Sequence, residues 1–162
     1  MIKSTFSIIA IFYLFSIGLS QEVEVMKFDD LEKIINEKPA KIKILNFWAT
    51  FCRPCVIEMP FFEEVATKFE DDIDLIFVSL DFVENVENKV KPFLTKKDIH
   101  SRVILLDDVD YNSWIDRVSP SWSGAIPATL IIDKNTGEKF FFEQIFDKEE
   151  LESLISKFVN KT

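Results

Sequence analysis

The residues best suited to chemistry in this 162-residue chain are its only two cysteines, arranged as Cys52-Arg53-Pro54-Cys55. This spacing lets a dithiol close on itself as a small disulfide ring. Other uses of such a pair make different demands. A structural zinc site takes four ligands, and beyond the pair the chain offers only His100. Covalent haem attachment requires a histidine directly after the second cysteine, where Val56 stands. A purely structural disulfide remains open to an exported protein. So short a loop restrains the unfolded chain little, however, because the entropic gain grows with loop length. Reversible thiol-disulfide exchange fits the spacing best, with the structural disulfide as the alternative.

The flanking elements say how the pair is presented. Lys41 to Trp48 becomes continuously apolar towards its end, as a strand buried on both faces does, and it runs straight towards Cys52. After Cys55, Phe62, Val65, Ala66 and Phe69 keep helical spacing, with Pro60 expected to kink that helix about one turn in. Cys52 therefore falls at a helix N-terminus, where unpaired N–H groups and the helix dipole favour its thiolate. Arg53 adds a positive charge, and Pro54 suits the first helical position because its missing N–H has no partner to lose there. Cys52 would attack a substrate disulfide, and Cys55, inside the helix, would resolve the mixed disulfide.

Strands and helices alternate along the rest of the chain. Val23 to Phe28 reads as an edge strand, followed by a helix capped by Asp29 and Glu32. Leu75 to Leu80 and Val103 to Leu106 read as buried strands, separated by a helix over Val86 to Lys97 that breaks at Pro92. A helical stretch around Asn112 to Val118 leads to a polar loop, Ser119 to Gly124. A hairpin follows, from Pro127 to Asp133, through the turn Lys134-Asn135-Thr136-Gly137, to Glu138 to Glu143. Asp147 and Glu150 cap a last helix with Leu151, Leu154, Ile155 and Phe158 on one face. This order requires an α/β fold in which a mixed sheet carries helices on both faces.

Residues 1–20 stand apart. Lys3 precedes a largely apolar run of about 14 residues, and Gly18-Leu19-Ser20 ends in small residues, the pattern of a secretory signal peptide. The run falls short of the roughly 20 residues that span a bilayer. An uncleaved, membrane-tethering segment is the alternative. With cleavage, residues 21–162 form the single mature domain. The chain carries a net charge of −9, and losing Lys3 with no acid makes the mature form −10. That charge argues against nucleic acid as a partner.

The run Asn46-Phe47-Trp48-Ala49-Thr50-Phe51-Cys52-Arg53-Pro54-Cys55, with Glu58-Met59-Pro60 after it, resembles the thioredoxin superfamily, and more closely its TlpA/ResA-type members of bacterial envelopes. Gly124-Ala125-Ile126-Pro127-Ala128-Thr129 is similar to the superfamily's cis-proline loop. The resemblance spans roughly residues 23–160 and implies a thioredoxin fold with an N-terminal strand extension and an inserted β/α unit. It also implies that Cys52 is the nucleophile and Cys55 the resolver. Pro127 is then a cis-proline facing the cysteines, and the Ile126 backbone pairs with substrate. Thioredoxins usually have a buried aspartate where Asn46 stands, and asparagine cannot take the proton that Cys55 must lose. Glu58 resembles the acidic residue of TlpA/ResA-type proteins and is the candidate acceptor. A first-turn glutamate favoured by the helix dipole is the alternative.

The resemblance implies reduction of disulfides in exported proteins of the periplasm or cell envelope, by a monomer that needs no cofactor or metal and is recharged by a membrane-bound electron donor. Net oxidation or isomerisation, and a client-binding module without turnover, are the competing functions. A copper carrier would need His or Met ligands at a spacing that His100 and Met59 lack. Trp48, Phe51 and Trp122 are candidates for an apolar rim that meets the partner, with core packing as the alternative. Trp114 and Phe140-Phe141-Phe142 are expected in the core, and His100 on the surface.

Overall fold

A computed structural model describes residues 22–160. It contains β1 (Val23–Met26), α1 (Phe28–Asn36), β2 (Ile42–Trp48), α2 (Arg53–Lys68), β3 (Ile73–Ser79), α3 (Lys91–Lys97), β4 (Arg102–Leu106), α4 (Ile115–Val118), β5 (Ala128–Ile132), β6 (Lys139–Phe142) and α5 (Lys148–Val159). The strands form one six-stranded sheet in the order β1-β4-β3-β2-β5-β6. β1, β4, β3 and β2 run parallel, β5 pairs antiparallel to β2, and β6 pairs antiparallel to β5 and so runs in the direction of β2. This is the mixed, helix-flanked thioredoxin fold that the motifs imply.

Two apolar layers sandwich the sheet. On one face α2, α5 and the segment through α3 pack on Ile42, Ile44, Trp48 and Phe77. On the other, α1, α4 and Trp122 cover Leu45, Phe47, Ile76 and Val78. All seven residues of β2 are buried, as a central strand requires. Even Lys43 is only 5% exposed. Its stem crosses the apolar layer and its Nζ donates to the Ile34 carbonyl at 2.6 Å.

Two local expectations need correction. Helix α1 starts at Phe28 with Lys27 as N-cap, so Asp29 lies inside the first turn and makes no capping box. Asp29 and Glu32 instead accept from Arg117, whose guanidinium lies over the Phe28 ring. The segment Val86–Lys97 does not break at Pro92. A π turn over Val86–Val90 runs directly into α3, and Pro92 lies in the turn just after that junction, so the helical segment passes through it. Helix α2 runs through Pro60 without a break. The capping box expected for the last helix is present, with both Asp147 and Glu150 side chains engaged.

Candidate active site

β2 ends at Trp48 and α2 begins at Arg53, so Cys52 is the α2 N-cap. Cys52 and Cys55 are joined as a disulfide with their Cα atoms 5.3 Å apart. The Cys55 N–H points at Cys52 Sγ from 3.3 Å, placing one unpaired helix donor against the sulfur. Cys52 is 8% exposed and Cys55 is fully buried, so only the first sulfur is open to a large partner. Arg53 and Pro54 are exposed beside it. Pro54 occupies the second helical position rather than the first, and the same argument about its missing N–H applies.

The turn into Cys52 is held by groups that no motif announced. Buried Asp81, just after β3, accepts from Thr50 N–H at 2.9 Å, Thr50 Oγ1 at 2.5 Å and Ser79 Oγ at 2.9 Å. Thr50 and Asp81 are 31 positions apart. Only the parallel pairing of β2 with β3 brings their strand ends together.

Glu58, one helical turn after Cys55, is fully buried. Its Oε1 accepts from Asn46 Nδ2 at 2.9 Å and its Oε2 from the Phe146 N–H at 2.8 Å. Burial pushes the Glu58 carboxyl up from an ordinary 4.5 to about 7, and these two hydrogen bonds only partly offset it. Helix α2 begins at Arg53 and has no acidic residue in its first turn, so the alternative of a first-turn glutamate favoured by the dipole does not hold. Asn46 Nδ2 also donates to Thr129 Oγ1 at 3.2 Å, while Asn46 Oδ1 is buried without a partner.

The Ile126–Pro127 bond is cis. The Ile126 carbonyl oxygen lies 3.7 Å from Cys52 Sγ, so this loop and the disulfide share one surface. The loop is pinned from two sides. The Trp122 indole donates to the Ala125 carbonyl at 2.8 Å. The Glu143 carboxylate accepts from Ser123 N–H at 2.9 Å, from Ala125 N–H at 3.3 Å and from the Ser123 hydroxyl. Glu143 follows directly on three phenylalanines, and its role carries no sequence signal.

The expected aromatic rim is mostly absent. Trp48 is fully buried and packs on Phe93, with ring centroids 5.1 Å apart, so it meets no partner. Its indole N–H has no hydrogen-bond partner. Trp122 is 4% exposed, packed among Phe47, Trp114 and Phe141. Phe51 alone of the three stands out, at 72% exposed. Trp114 lies in the core and the 140–142 run is half-buried. His100 is exposed, near Asp98. Among the described residues no cluster of three or more His, Cys, Asp or Glu could hold a metal ion.

A thioredoxin fold presenting a Cys-x-x-Cys disulfide beside a cis-proline loop defines the class of thiol-disulfide oxidoreductases. The chain belongs to the AhpC/TSA family, which matches residues 20–137. It is 34% identical over 134 residues to the thiol-disulfide oxidoreductase ResA of Bacillus cereus, covering 79% of this chain and 71% of ResA. It is 30% identical over 100 residues to the thioredoxin-like protein YneN of Bacillus subtilis, covering 62% of this chain but only 55% of YneN. A secreted disulfide oxidoreductase of Mycobacterium tuberculosis shares the fold, with a TM-score of 0.58 at 18% identity, covering 74% of this chain and 84% of that one.

Proposed function

We propose that this protein reduces disulfides of exported proteins at the cell envelope, as a monomer recharged by a membrane-bound electron donor. The observation that carries the reading is the buried Glu58, with its carboxyl raised to about 7, one turn along α2 from the fully buried Cys55. Near neutral pH such a group can both take and return a proton. Export is supported by the sequence pattern of residues 1–20, which lie outside the described residues. It is also supported by the fold shared with a protein described as secreted. Among the described residues no helix is long and apolar enough to cross a membrane.

In the reduced state the Cys52 thiolate, facing the Cys55 N–H at the helix N-terminus, attacks one sulfur of the substrate disulfide. The Cys52–substrate bond forms as the substrate S–S bond breaks, and the departing thiolate is protonated from solvent. Cys55 then gives its proton to the Glu58 carboxylate and attacks Cys52 Sγ. The Cys52–Cys55 bond forms and the mixed disulfide breaks, with Glu58 returning its proton to the second substrate sulfur. The substrate gains two electrons and two protons, and the dithiol loses them. Ile126 supplies backbone groups to the substrate chain, Pro127 and Pro54 shape the surface around Cys52, and Arg53 adds positive charge beside the thiolate.

Equilibrating the domain in graded glutathione or dithiothreitol buffers tests the direction. A reduction potential near or below about −270 mV supports a reductase. A value near about −120 mV, among the strong oxidants, overturns it in favour of disulfide donation.

A further inference from the structure

Glu143 touches neither cysteine, yet its carboxylate gathers Ser123 and Ala125 backbone N–H groups and the Ser123 hydroxyl. Residues 123–125 are exposed, so burial of their own side chains does not hold them. Gly124 between them has φ +94°, and a Cβ there would meet Ile115 Cδ1 at 3.2 Å. Gly124 thus holds a conformation that a side chain would strain, and the loop is fixed by the hydrogen bonds it donates to Glu143 and the one its Ala125 carbonyl accepts from Trp122. The next residue is Ile126, whose carbonyl stands 3.7 Å from Cys52 Sγ. Three residues beyond Glu143, the Phe146 N–H anchors Glu58 Oε2 at 2.8 Å. The connection from β6 to α5 therefore clamps the substrate-side loop at one end and holds the buried carboxyl at the other.

We propose that Glu143 is a positioning residue, which holds Ser123–Ala125 so that the Ile126 backbone is set to pair with the polypeptide flanking a substrate cysteine. This rests on the reading above that the 126–127 turn meets the substrate chain. It predicts discrimination by substrate type: a polypeptide disulfide uses the clamped backbone, whereas a small aromatic disulfide has no chain to pair and reaches Cys52 without it.

The test compares wild type, Glu143→Ala and Glu143→Gln on oxidised insulin and on 5,5′-dithiobis(2-nitrobenzoate). For insulin, Glu143→Ala should raise KM about tenfold, the loss of hydrogen bonds to a charged acceptor, with kcat little changed. Glu143→Gln, which keeps one acceptor oxygen, should fall between. The small disulfide should react at the wild-type rate, and the reduction potential should not move. A wild-type insulin KM in Glu143→Ala, or an equal loss on both substrates, overturns the assignment. Running the exchange with reduced insulin as well separates the two readings. If only oxidation proceeds, the reductive function fails, and the KM comparison in that direction still decides Glu143.

Discussion

Replacing Glu58 by glutamine should change the pH dependence of stability more than stability itself. In the folded oxidised protein the Glu58 carboxyl titrates at about 7, against about 4.5 when exposed. Between those values the folded chain keeps a proton that the unfolded chain has lost. Stability therefore falls as pH rises through that window, with the full contribution present below about 4.5 and gone above about 7. The total is about 3 kcal/mol, since each pH unit is worth about 1.4 kcal/mol for one proton. Glutamine keeps the shape and one acceptor but cannot ionise. At pH 5 the variant should be less stable by about 1–2 kcal/mol, because Asn46 Nδ2 and the Phe146 N–H both donate and the amide's NH2 must face one of them. By pH 8.5 the balance should have moved by about 3 kcal/mol in favour of Glu58→Gln. Urea denaturation of both oxidised proteins between pH 4.5 and 8.5 measures this, and contributions common to both proteins cancel in the difference. Parallel curves would refute the argument, because Glu58 would then titrate alike in both states.

Asn46→Asp places a second carboxylate 2.9 Å from Glu58 Oε1. It should destabilise the protein by several kcal/mol at pH 8 and recover much of that at pH 5, as like charges sharing one site cannot both ionise; urea midpoints at the two pH values check it. Cys55→Ser should accumulate a stable Cys52–substrate mixed disulfide, while Cys52→Ser should accumulate none, a distinction read by mass spectrometry after acid quenching. Asp81→Ala removes the acceptor of three hydrogen bonds at the turn into Cys52 and should cost about 3 kcal/mol, measured by urea denaturation. A loss under about 0.5 kcal/mol, the scale of an ordinary surface substitution, would show that the turn holds without it.

Much of this fold could be read along the chain because its signals are local. A continuous apolar run marks β2 as central, helical spacing marks α2 and α5, and the turn at 134–137 marks the hairpin. Misreadings arose where tertiary contacts outweighed local preference. Asp29 looked like a cap because of its spacing to Glu32, but both carboxylates turn to Arg117, 85 or more positions away. Trp48 and Trp122 looked like rim residues because they flank the two motifs. Side-chain direction on the fully buried β2 sends Trp48 into the core, and Trp122, in the loop after α4, turns inward among Phe47, Trp114 and Phe141.

The sequence by itself determined the reactive pair and its place at a strand end and helix start, because both are written in neighbouring residues, and it pointed to the loop that faces the pair through a resemblance to the thioredoxin superfamily. Only the tertiary structure decided which groups are packed around that pair. Glu58 becomes a neutral-range acid because β2, α2 and the residue Phe146, 88 positions on, enclose it. Asp81 and Glu143 hold the two loops around Cys52 through contacts that exist only once the strands have paired. Burial and hydrogen bonding between distant segments are properties of the packed chain, and no local pattern encodes them.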